Sequence, residues 1–168
     1  MTSAELLADS FGRIRDILHR VVDGLSREQL SARLDSEANS IGWLLWHLTR
    51  IQDDHIAAVA GTEQVWISGG WAERFGLTLD AADTGFGHTP SQVAEVIVDA
   101  EPLREYYDAV HGVTLDYVAR LTDGDLDRVV DERWDPPVTL GVRLVSIIVD
   151  DVQHVGQAAI IRGILERR

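Results

Sequence analysis

The sequence predicts an all-α protein, an antiparallel four-helix bundle with a long irregular connection between its second and third long helices. Three observations lead there. Four long segments place apolar residues three and four apart, the spacing that gives a helix one buried face. Capping residues, glycines and prolines punctuate those segments where helices start and stop. No low-complexity stretch or flexible linker divides the chain, so residues 1–168 read as a single domain large enough to bury a core.

The first segment, Ala4 to Leu25, carries Leu6, Leu7, Phe11, Ile14, Leu18, Val21 and Val22 on one stripe. The second runs from Ser40 to Ala60, with Asn39 or Ser40 as N-cap and Gly61 just beyond its end. The third covers Pro102 to Leu121. The fourth, Thr139 to Leu165, follows Pro136 and Pro137, which block a helix before it. Between the second and third, residues 62–100 hold "SGGWAERFG" and "TGFGHTP", whose glycines mark loops, and Thr89-Pro90 opens a short helix. "LSREQLSARLD" (25–35) and "LTDGDLDRVVD" (121–131) share a leucine, a Ser or Thr cap and a polar side chain three residues on. That is a capping-box pattern. It suggests two helix-link-helix halves, each ending in a helix with a central histidine.

Charge narrows the function. With 28 acidic against 15 basic residues, the net charge is −13. Such a surface repels phosphate backbones and anionic membranes, so neither nucleic acid nor a membrane is an expected partner. All the basic residues are arginine, as codon bias in a GC-rich genome would produce. No apolar run reads as a membrane span and no leader as a signal peptide, so the expected location is cytoplasmic. Cysteine is absent, which excludes disulfides, thiolate metal sites and cysteine nucleophiles. Any thiol chemistry must use a thiol from outside.

The awkward stretch is "VDDVQHVGQAAIIRG" (149–163), a largely apolar helix in which Asp150, His154 and Gln157 share a stripe. An i, i+4 pair is the spacing with which one helix supplies two metal ligands. In a bundle, His47 of "SIGWLLWHLTRIQDDH" can approach from the facing helix. A buried carboxylate needs a countercharge. Either a divalent cation supplies it at His47, Asp150 and His154, or Asp150 pairs with Arg143 or Arg162 and His154 sits on the rim. Asp151 is a rival carboxylate at i, i+3. Gln157, Asp54 and Arg143 are candidates for supporting the ligands or binding substrate, with capping or solvation as their ordinary roles. His88 can reach a pocket mouth from its loop, although loop histidines are mostly solvated; His19, His55 and His111 carry no signal. Trp66, Trp71 and Trp134 stand in loops, where they line a pocket or cover the bundle ends.

"GWLLWHL" in the second helix with "DxxxHxGQ" in the fourth resembles the DinB-like superfamily. It is most similar to the actinobacterial branch of mycothiol-dependent maleylpyruvate isomerase and mycothiol S-transferases. The resemblance implies a DinB-like bundle binding a divalent metal, often zinc, through His47, Asp150 and His154. Many members have histidine at the position of Asp150, whereas the isomerase branch has a carboxylate. It further implies a transferase or isomerase that joins a small-molecule thiol, mycothiol or similar, to an electrophilic substrate, with a homodimer among the assemblies to expect. The rival readings are a metal-dependent hydrolase, with Asp151 or Asp54 as base, a non-haem iron oxygenase site, and a non-catalytic metal-stabilised stress or binding protein.

Overall fold

The computed structural model describes residues 1–167. Four long helices form it: α1 (Ser3–Val22), α3 (Ile41–Ala60), α7 (Ala100–Val118) and α8 (Leu140–Leu165). Between them lie the short helices α2 (Arg27–Ser31), α4 (Val65–Ser68), α5 (Trp71–Phe75) and α6 (Pro90–Glu95). A 3₁₀ turn (Asp123–Asp127) and a two-stranded antiparallel ribbon, β1 (Val129–Asp131) with β2 (Val138–Thr139), precede α8.

Most boundaries follow the local chemistry. Thr2, Ser40 and Thr139 each accept a backbone N–H of the first turn they cap, and α3 ends where Gly61 takes a left-handed conformation. The two capping boxes form as read: Ser26 with Gln29 opens α2, and Thr122 with Asp125 opens the 3₁₀ turn. A third, Thr89 with Gln92, opens α6 behind Pro90. Each half of the chain is thus a long helix, a short capped turn, a link and a second long helix. α1 stops at Val22 rather than Leu25, and α7 spans Ala100–Val118 rather than Pro102–Leu121. Pro102 falls in the first turn of α7, where its missing N–H costs nothing.

α1 packs on α7 and α8, and α3 packs on the same two, most extensively on α8. The pairs α1/α3 and α7/α8 therefore face each other across the bundle. Contacts fix the directions. Arg15 bonds Asp108 while Arg104 reaches Asp23, so α1 and α7 are antiparallel. Arg162 of α8 donates to the carbonyls of Arg20, Val21 and Asp23 at the end of α1, so these two run together. In α3 and α7, Asp53 meets Tyr106 and Val59 meets Tyr117, again the same direction. Parallel neighbours need a crossover. Residues 62–99 provide it, which is why that connection is long.

The core is one apolar cluster drawn from all four helices, including Phe11, Leu18, Leu45, Tyr106, Leu144 and Ile147. Trp66 and Trp71, expected in loops, lie buried on α4 and α5, where with Phe75 and Tyr106 they cover one side of the bundle. Trp134 alone of the three is exposed. By length and composition α8 is apolar enough to cross a membrane, which the sequence had not suggested. Here it packs against α1 and α3 and carries Asp150, Asp151 and His154 at mid-length, where charge at bilayer depth would be costly.

Candidate metal centre

The close packing of α3 on α8 brings His47, Asp150 and His154 together, with one ligand atom from each lying within 4.8 Å of the others. His47 stands two turns into α3, buried, with the Trp43 indole stacked on its ring at 4.7 Å and 14°. Its Nδ1 lies 2.5 Å from the Thr84 carbonyl. A carbonyl only accepts, so Nδ1 carries the proton and Nε2 keeps its lone pair. His154 is held the same way, its Nδ1 donating to the Asp150 carbonyl one turn back at 2.8 Å. Burial lowers the His47 pKa, and the nearby His154 adds to the effect while the Thr84 hydrogen bond opposes it. The ring is therefore neutral at pH 7, the form that ligates a metal.

Asp150 has no salt-bridge partner among the arginines proposed for it. Its Oδ2 is buried and makes no hydrogen bond, 3.4 Å from His154 Nδ1. Neither arginine proposed as its partner reaches it. Arg143 donates to Asp131 at 3.0 Å and lies 3.5 Å from His55, while Arg162 is spent on carbonyls and Glu166. Asp151 points elsewhere: it is fully buried, and neither carboxylate oxygen has a partner. Burial, then the charge of Asp150, raises its pKa well above the usual carboxylate range, so it is the carboxylic acid that sits in the core. The triad thus has two imidazoles, each with Nδ1 turned to a carbonyl and Nε2 left free, and one carboxylate oxygen without a hydrogen-bond partner. That donor set fits a divalent ion with open positions.

The crossover builds the α3 side of the site, and sequence reasoning missed how. Arg50, fully buried one turn after His47, donates to the carbonyls of Ala81 and Asp83, to Gln64 Oε1 and to the Tyr106 hydroxyl, and lies over the Trp66 ring. Asp53 accepts the backbone N–H groups of Val65 and Trp66 and the Tyr106 hydroxyl. Together they pin both ends of the segment that presents Thr84. Next in that segment, Gly85 has φ +86°, and a Cβ there would lie 2.9 Å from His47 Nδ1 and from Trp46. His88 is not solvated, as its loop position suggested. Its side chain is buried, accepting the Trp43 indole N–H at Nδ1 and donating from Nε2 to Asp83 at 2.9 Å. The available signals were an arginine amid the apolar run of α3 and the two glycines of "TGFGH".

The remaining candidates lie along the α3–α8 groove. Gln157 is exposed and lines a depression of about 210 Å³ with Asn39, Leu44 and Ile160, one turn from His154. Asp54 accepts from Gln64 at 2.7 Å; with His55, Asp131 and Arg143 it lines a cavity of about 430 Å³. That cavity lies two turns from the triad in the other direction, or about 11 Å. None of these three hydrogen-bonds to the triad. His19 pairs with Asp108, and His111 is buried against Tyr107.

The DinB superfamily matches residues 10–158. A conserved protein from Enterococcus faecalis, known from a crystal structure, superposes with a TM-score of 0.93 at 30% identity, covering 100% of this chain and 99% of its own. No functionally curated protein matches.

Proposed function

Since the chain belongs to the DinB superfamily, we propose that it is a cytoplasmic metal-dependent transferase or isomerase, using zinc at His47, Asp150 and His154 and a low-molecular-weight thiol such as mycothiol. The observation that supports this most is Asp150, a carboxylate with a buried, unpartnered oxygen between two imidazoles whose lone pairs are free. A divalent ion there supplies positive charge that favours the ionised form of a thiol, which is the nucleophile. One carboxylate against +2 leaves about +1, enough to favour a thiolate without trapping it.

The chain's own residues hold and shield the site. Trp43 packs on His47, and Thr84 and the Asp150 carbonyl fix both imidazoles in the tautomer needed. The depression beside Gln157 and Asn39 offers amide donors and an apolar floor for the remainder of the thiol or its electrophile. In the reaction the S–H bond breaks with its proton passing to solvent, and the sulfur bonds to an electrophilic carbon as that carbon's bond to its leaving group breaks and the leaving group departs with the electron pair. The sequence contains no cysteine to compete.

The hydrolase reading loses its two bases. Asp151 is buried away from the triad, and Asp54 is bonded to Gln64 two turns off. The deciding experiment is a screen of electrophiles with mycothiol, with other thiols and with none, using protein whose metal content has been measured. Turnover should require thiol, fall when the metal is stripped and return with zinc. Equal product with and without thiol would end the transferase proposal.

A further inference from the structure

We propose that the cavity between α3 and the crossover, walled by Trp46 and Trp66, is a ligand site for a small uncharged amide. Its volume is about 210 Å³, and none of its lining residues belongs to α8 or to the triad. It is therefore separate from the α3–α8 groove. Trp46 is 1% exposed and Trp66 3%, yet neither indole N–H finds an acceptor among the described residues. Leaving one buried donor unpaired is costly, and two at one cavity call for an acceptor. The setting of Gly85 shows how Trp46 is turned. A Cβ there would lie 2.9 Å from Cζ3, the corner of the indole farthest from Nε1, so the N–H lies on the opposite side of the ring from Gly85.

These donors set the ligand's chemistry. An indole N–H only donates, so the ligand must offer lone pairs, as a single carbonyl oxygen does with two. The indole rings, Leu77 and Leu79 favour an apolar body. An apolar cavity of about 150 Å³ holds benzene, so this one admits a ring with a short polar group. Charge narrows the class further. Glu73 and Asp80 line the cavity and repel a carboxylate. Arg50, 4.9 Å over the Trp66 ring, is offset by Asp53 at 3.8 Å and so draws in no anion. A cation would meet two N–H groups at the positive edges of the rings. A neutral amide satisfies both sides, with its carbonyl for the indoles and its N–H for Glu73 or Asp80.

Benzamide is the probe, with δ-valerolactam as a second neutral amide and benzoate and benzylamine as charged controls. The full chain has five tryptophans, whose indole N–H groups give separate signals in a nitrogen–proton correlation spectrum. Either amide should move two of them downfield, with a Kd of about 1 mM or tighter for so small a ligand. Trp46→Phe and Trp66→Phe identify the two, and each should weaken binding about three- to tenfold. The charged controls should bind at least about tenfold more weakly, and Glu73→Gln should narrow that gap for benzoate. Ala72→Phe fills the cavity from a half-buried position and should abolish the shifts, which keeps the test decisive if a tryptophan variant misfolds. Metal-stripped protein should bind the amides as the parent does, because the inference does not depend on the metal reading. No indole shift from either amide at about 10 mM, shifts that survive Ala72→Phe, or benzoate binding as tightly as benzamide would overturn the proposal and leave the cavity to water.

Discussion

Gly85→Ala isolates the link between the crossover and the metal centre. Gly85 and Gly87 have φ of +86° and +75°, so alanine at either costs about 1–2 kcal/mol of left-handed strain. They differ in surroundings: a Cβ at Gly87 meets nothing within 4 Å, while one at Gly85 lies 2.9 Å from His47 Nδ1 and from the Trp46 ring. The strain cancels between the two variants and the contact remains. To relieve it the segment must retreat, stretching the Thr84–His47 hydrogen bond of 2.5 Å. Losing the outer partner of a ligating histidine typically lowers metal affinity 10- to 100-fold, about 1.4–2.7 kcal/mol. Gly85→Ala should therefore weaken zinc binding by that factor and Gly87→Ala by less than about threefold. Competition against a chromophoric zinc chelator measures both, with circular dichroism to confirm equal helix content. If the two variants bind zinc equally, the Thr84 carbonyl does not orient His47.

His47→Ala, His154→Ala and Asp150→Ala should each abolish zinc uptake by elemental analysis while keeping the helix signal, because apolar burial sustains the bundle. Asp151→Asn should retain the metal; its loss there would move the ligand register by one. Arg50→Met breaks a buried charge network and should cost about 3–5 kcal/mol in urea denaturation, and an unchanged midpoint would count against it as a keystone. Burial lowers the His111 pKa, chiefly by desolvation and then by the charge of Arg15. The native state then binds fewer protons than the unfolded chain. Stability from this group is full above about pH 6.5 and lost as pH falls below it. The metal-free His111→Gln protein should accordingly lose less stability between about pH 7 and 5 than its parent, and parallel profiles would contradict this.

The four helices were legible because their information is local. Periodicity and caps set them, and Ser26 and Thr122 each made the box read from sequence. The triad was legible for a related reason, since i, i+4 spacing fixes Asp150 against His154 once a helix exists. That Asp150 pairs with neither arginine was not, because where Arg143 and Arg162 reach depends on Asp131 and on the end of α1, both distant in sequence. The crossover was the hardest part. Its glycines read as loops, but that the segment folds back onto Trp43, Trp46 and His47 follows from Arg50 and Asp53, which look like ordinary surface charges of a helix. Burial of Trp66, Trp71 and His88 is the same fact seen from the other side.

The two sides of the centre are held in different ways, and that asymmetry has a functional consequence. His154 is oriented by the carbonyl of Asp150 in its own helix, so the α8 pair is preorganised as soon as α8 forms. His47 instead depends on Thr84, which depends on Arg50 and Asp53 gripping the crossover. Motion in residues 81–88 would then alter His47 and leave Asp150 and His154 in place. Gly85 and the Trp43–His88 contact close the α3 side of the triad, while the groove between α3 and α8 has cavities one turn away at Gln157 and two turns away at Arg143. Under the proposed function a substrate would approach along that groove, meeting first Asp150 and His154, whose geometry is fixed by α8 alone.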